Sequence, residues 1–157
     1  MPTVHPASAV AAYLSMADDY PRPHVLHLMQ PHSPYIGAVG LPCICGPKTT
    51  AVYYADIPTV DACLADGSVT FSLMRDAYTA NLRLVWQAVR ALAQQFTGLL
   101  AMTSDHGELL GEYGGLHGHS QLRLYKKVET LLVPWYEEQC EPEMPDRLKR
   151  LAALGYV

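Results

Sequence analysis

The sequence has little positive charge. Its 157 residues carry 11 Lys and Arg against 15 Asp and Glu, a formal net charge of −4. That balance supplies no basic footprint for nucleic acid. No apolar run approaches the roughly 20 residues that span a bilayer, so neither nucleic acid nor membrane is an expected partner. The N-terminus lacks a basic region followed by an apolar core, and no secretory leader is expected. Cysteine is sparse as well. Cys43, Cys45, Cys63 and Cys140 match no zinc-finger or zinc-ribbon spacing, and they are too few for a disulfide scaffold. Reduced thiols and a cytoplasmic location are the expectation. The chain shows no internal repeat and no low-complexity tract.

What is present is the composition of a folded domain. Half of the residues are hydrophobic and 17% are charged, the balance of a globular chain rather than a disordered one. The length suits one domain, 1–157, with a sizeable core. Residues 36–70 are expected to be an irregular loop segment, punctuated by Gly37, Gly40, Pro42, Gly46, Pro47 and Pro58, with Val52-Tyr53-Tyr54 a weak strand candidate.

The remaining pattern alternates helix with strand. Residues 7–19 read as a short helix with Val10, Leu14 and Ala17 on one stripe. Tyr20-Pro21-Arg22-Pro23 breaks it, and His24 to Met29 reads as a buried strand. His24 and His27 suit core or edge positions there better than ligation. The clearest helix covers 73–96, where Tyr78, Leu82, Val85, Val89, Leu92 and Phe96 advance in steps of four and three along one face. Gly98 then delivers the chain into an apolar strand, Leu99 to Thr103. A short helix over 122–128, a strand over 131–136 and a last helix over 146–154 complete the expectation. Helix-then-strand order suits a crossover of an α/β sheet.

The stretch that concentrates chemistry is Thr103-Ser104-Asp105-His106-Gly107-Glu108. In open α/β sheets ligands bind outside the carboxyl ends of strands, and Asp105 and His106 fall at such an end. A carboxylate beside an imidazole suits a divalent metal. The same stretch also fits a strand end followed by a polar turn. A second candidate is His32, in Gln30-Pro31-His32-Ser33-Pro34-Tyr35, which follows the 24–29 strand and would share its rim with Asp105. Pro-His-x-Pro could equally form a rigid turn.

Together these blocks resemble the sulfatase/alkaline-phosphatase superfamily. Ser104 to Glu108 resembles that family's second metal-binding motif. The glycine-rich run to His117-Gly118-His119 and the later Val133-Pro134 follow in the family's order, and Pro31 to Tyr35 resembles its Pro-His-x-Pro-Tyr motif. The resemblance implies an α/β fold: a partial doubly wound sheet of alkaline-phosphatase/sulfatase type with flanking helices. It implies metal ligation by Asp105 and His106, with zinc or manganese fitting better than calcium, which rarely takes an imidazole. It implies substrate contacts from His32 and from His119, or less readily His117; a surface histidine in a polar loop remains open for His119. Glu108 and Glu112 are not expected to be ligands.

The family's nucleophile block is not found. Cys45-Gly46-Pro47-Lys48-Thr49 is the nearest match, but Thr49 replaces the arginine and the segment lies after the Pro-His-x-Pro-Tyr motif. The expectation is therefore the C-terminal part of a metal-dependent hydrolase of sulfate or phosphate esters, inactive alone. A separate chain carrying the N-terminal block, or self-association, would be its partner. The alternative is a non-catalytic metal- or anion-binding or interaction module derived from that family.

Overall fold

In a computed structural model of the chain, residues 3–41, 43, 57–118 and 131–141 are described. Helix α1, Pro6–Met16, starts with proline in its first turn, and the His5 ring accepts a hydrogen bond from the Ala7 amide. A 3-10 turn, Ala17–Asp19, continues it. Helix α2, Val60–Ala65, is capped by Thr59, whose hydroxyl accepts from the Ala62 amide. It lies inside the stretch expected to be irregular. Helix α3, Phe71–Ala93, is capped in the same way by Thr70.

Among the described residues, four short strands follow. Strand β1, Gly98–Thr103, pairs antiparallel with β4, Trp135–Cys140. Strand β2, Leu109–Gly111, pairs antiparallel with β3, Leu116–Gly118, across a tight turn at 112–115. The protein is thus a mixed α/β chain, and among the described residues its sheets are small and antiparallel. The expected strand at 131–136 begins later, at Trp135. Pro134 has no amide to give a ladder, and its carbonyl accepts instead from the Thr103 hydroxyl at 2.7 Å. The expected helices at 122–128 and 146–154 lie outside the described residues.

Helix α3 organises the rest. Its buried positions are Met74, Ala77, Ala80, Asn81, Val85, Ala88, Val89 and Leu92. The expected stripe is therefore rotated: Val85, Val89 and Leu92 face inward, whereas Leu82 is 47% exposed. The N-terminal half of α3 packs with Tyr35, Leu41, Cys43, α2 residues Val60 and Cys63, and Leu110. The C-terminal half packs with Val10 of α1, Leu26 and Leu100.

Two segments run against the direction of α3. In the first, Arg22 lies over the Phe96 ring and donates to the Thr97 carbonyl, Leu26 packs against the cluster of Val10, Ala88 and Leu92, and residues 31–37 bond to Asn81. In the second, Leu100 packs against the same cluster, and the Leu110 carbonyl accepts from Arg75. Residues 22–37 and 98–110 therefore run parallel to one another, with α3 antiparallel to both. The 24–29 stretch keeps a strand's alternation, with Val25, His27 and Met29 outward and His24, Leu26 and Leu28 half-buried, but it belongs to no sheet. Among the described residues no helix is long and apolar enough to cross a membrane.

Candidate metal and anion site

Strand β1 ends at Thr103, and Asp105 and His106 follow in the loop that leads to β2. The loop is anchored at its far end by Leu109, which is fully buried. Its near end is fixed by the β1–β4 ladder and the Thr103–Pro134 bond. Between those anchors the Asp105 side chain is 75% exposed and that of His106 35% exposed.

The geometry of this pair is that of two donors sharing a point. His106 Nδ1 lies 2.8 Å from the Gly107 carbonyl, an oxygen that only accepts, which favours a proton on Nδ1. A backbone carbonyl that fixes the tautomer in this way is the usual support of a ligating histidine. Nε2 stands 3.6 Å from Asp105 Oδ2. Ligands about 2.0–2.2 Å from a zinc ion lie roughly this far apart, so the donor set fits a divalent cation. Asp105 Oδ1 meanwhile accepts from the His106 amide at 3.1 Å, which holds the carboxylate in place. Without a cation the same pair can close through a proton on Nε2. Among the described residues no group of three or more His, Cys, Asp and Glu gathers around one point; two donors come from this loop.

His32 lies in the loop after residues 24–29. Its Nδ1 is 2.7 Å from the Ser33 carbonyl, and its own carbonyl accepts from Asn81 Nδ2. Asn81 is wholly buried. Its Oδ1 accepts from the amides of Ile36 and Gly37, and its Nδ2 faces the carbonyls of Pro31, His32 and Pro34. One turn earlier on α3, the half-buried Tyr78 lies close enough to Glu108 to feel its charge. Burial first, and that carboxylate second, push the Tyr78 phenol above its usual range. Arg75, six residues before Asn81 on α3, donates to the Leu110 carbonyl at the far end of the loop that follows His106.

No family model, no curated protein and no solved structure matches the chain.

The other histidines have different tasks. His117 Nε2 is 3.1 Å from Asp61 Oδ1 on α2, and its ring packs against Phe71. It ties the β2–β3 hairpin to α2 and makes no pair with Asp105. His24 contacts the Tyr13 hydroxyl and the Tyr20 carbonyl, a structural role. His119 and Cys45 lie outside the described residues. Glu112 accepts from the Leu110 amide, shaping the turn. Asn81 is the site residue that the apolar periodicity overlooked. Its signal was present in the sequence: a polar residue with both donors and an acceptor, flanked by alanines at 77 and 80 on the clearest helix.

Proposed function

We propose that this chain carries the metal-binding part of a sulfatase-like hydrolase of sulfate or phosphate esters. In that reading β1 belongs to a partial doubly wound sheet and α3 is the helix that leads into it. The observation that carries the proposal is the Asp105–His106 pair. An imidazole nitrogen and a carboxylate oxygen stand 3.6 Å apart just after a strand's carboxyl end, and the other ring nitrogen contacts a backbone carbonyl. The course of 22–37 and 98–110, both against the direction of α3, is compatible with that reading.

A divalent cation held by Asp105 and His106 would neutralise charge on the ester oxygens. The chain's own groups do the rest. His32, with its Nδ1 proton directed to the Ser33 carbonyl, offers Nε2 to an ester oxygen, as an acceptor when neutral and a donor when protonated. His119 is proposed as a second contact. Two loop ligands leave most of a cation's coordination to water or to other groups, so metal binding by the chain alone is weak. Covalent catalysis would need an in-line nucleophile, a role this reading assigns to none of the described residues.

The test is an assay with aryl phosphate and aryl sulfate esters, with zinc or manganese added, alongside phosphate binding by calorimetry. The expected result is zinc-dependent phosphate binding with little or no turnover, weakened by His32→Ala and lost in Asp105→Asn. Absence of any metal-dependent anion binding would favour the interaction module instead. Strong turnover abolished by Asp105→Asn would place a nucleophile within the chain, with Cys45 and Ser104 the first residues to replace.

A further inference from the structure

We propose that Asn81 is a positioning residue for His32, and that through it helix α3 sets the spacing between the two candidate loops. The inference rests on the reading of His32 as an ester-contacting group. Residues 31–37 form neither helix nor strand, so their backbone groups need partners from elsewhere. Pro31 and Pro34 contribute carbonyls and no amides. An amide side chain supplies both acceptor and donors from one rigid plane. Asn81 uses both ends: Oδ1 lies 2.8 Å from the Ile36 amide and 3.0 Å from that of Gly37, and Nδ2 lies 3.2–3.3 Å from three carbonyls.

The clamp reaches the imidazole through a short path. Its bonds fall on the His32 and Pro34 carbonyls, on either side of Ser33, and the Ser33 carbonyl is the partner of His32 Nδ1. Holding those two peptides fixes the carbonyl that selects the ring's tautomer. The loop also sits unusually close to the helix. A Cβ added at Gly37 would stand 2.7 Å from the Ala80 backbone carbon, a contact only glycine avoids.

The far end of the other loop is tied to the same helix, where Arg75 donates to the Leu110 carbonyl. The rise from Arg75 to Asn81 along the helix is about 9 Å. A buried asparagine costs helix propensity and desolvation, so an apolar residue would serve packing alone better. Its place here fits a need to hold a loop in one geometry.

The test reads the His32 tautomer by long-range proton–nitrogen NMR at about pH 8.5, where imidazole is neutral. It is applied to the wild type, Asn81→Ser, Asn81→Asp and Gly37→Ala. The last loosens the same clamp without touching Asn81, and so remains informative where an Asn81 variant does not fold. The wild type is expected to hold the Nδ1–H form in roughly tenfold excess, the scale of one hydrogen bond. Folded variants are expected to show both forms. A second arm titrates zinc, then inorganic phosphate. Zinc affinity should stay within about twofold in the variants, while phosphate affinity falls roughly tenfold. Folded variants with an unchanged His32 spectrum, or a wild type with mixed tautomers, would overturn the proposal. A wild type that binds no zinc would defeat the hydrolase reading and leave the tautomer result standing on its own.

Discussion

Replacing Leu109 with alanine and Asp105 with asparagine should separate what anchors the candidate metal loop from what serves it. Leu109 has no exposed surface. Leucine to alanine removes three carbons, worth about 2.4 kcal/mol at ~0.8 per methylene. The residual cavity adds to this, and measured substitutions of this type span about 2–5 kcal/mol. A loss of about 3 kcal/mol is expected, or roughly 6–12 °C in melting temperature for a domain of this size. Asp105 presents the opposite case. Its pair with His106 is 3.6 Å long and its side chain is 75% exposed, so the pair contributes about 0–1 kcal/mol. Urea unfolding of both variants measures the contrast. A Leu109→Ala cost below about 1 kcal/mol would show that β2 is not buried as described. An Asp105→Asn cost above about 2 kcal/mol would make Asp105 a structural residue and remove the argument that it is held ready for a ligand.

Three further outcomes follow from other features. Tyr78 has its phenol raised by burial and then by Glu108; the neutral form is favoured on folding, so its contribution is complete below about pH 10 and is lost as pH rises through the higher folded value. Tyr78→Phe should flatten that alkaline fall in the urea midpoint. Gly111 has φ +108°, and an added Cβ would meet the Phe71 ring at 2.6 Å, whereas Gly67, with φ +78°, has open space. Gly111→Ala should cost about 2–5 kcal/mol from strain and overpacking, and Gly67→Ala about 1, in thermal melts. Leu131, Leu132 and Trp135 are each more than 60% exposed, and apolar surface of this kind favours association; sedimentation should show concentration-dependent self-association that Trp135→Glu reduces.

The sequence announced the large elements better than their faces. The long apolar period marked α3, and the apolar run ending at Thr103 marked β1. The inward face of α3 was harder to read, because large side chains dominate a periodicity count. Tyr78 and Leu82 drew the stripe toward themselves, yet the close approach of Gly37 requires alanines and Asn81 on the contact side. Residues 24–29 show strand alternation without strand pairing; composition announces the pattern, and ladder bonds depend on a neighbour that the sequence does not name. Trp135 starts β4 because Pro134 cannot donate, which makes the expected boundary four residues early. At the site, the adjacency of Asp105 and His106 was legible from the motif. The tautomer of His106 was not, since it depends on where the Gly107 carbonyl points.

The central claim is that Asp105 and His106 together hold a divalent cation. Titration of zinc into the wild type, Asp105→Asn and His106→Ala by calorimetry tests it directly, with far-UV spectra confirming equal folding. The account predicts weak, saturable binding by the wild type, reduced roughly tenfold or more by either substitution. No saturable binding by the wild type, or equal binding by all three proteins, would contradict it.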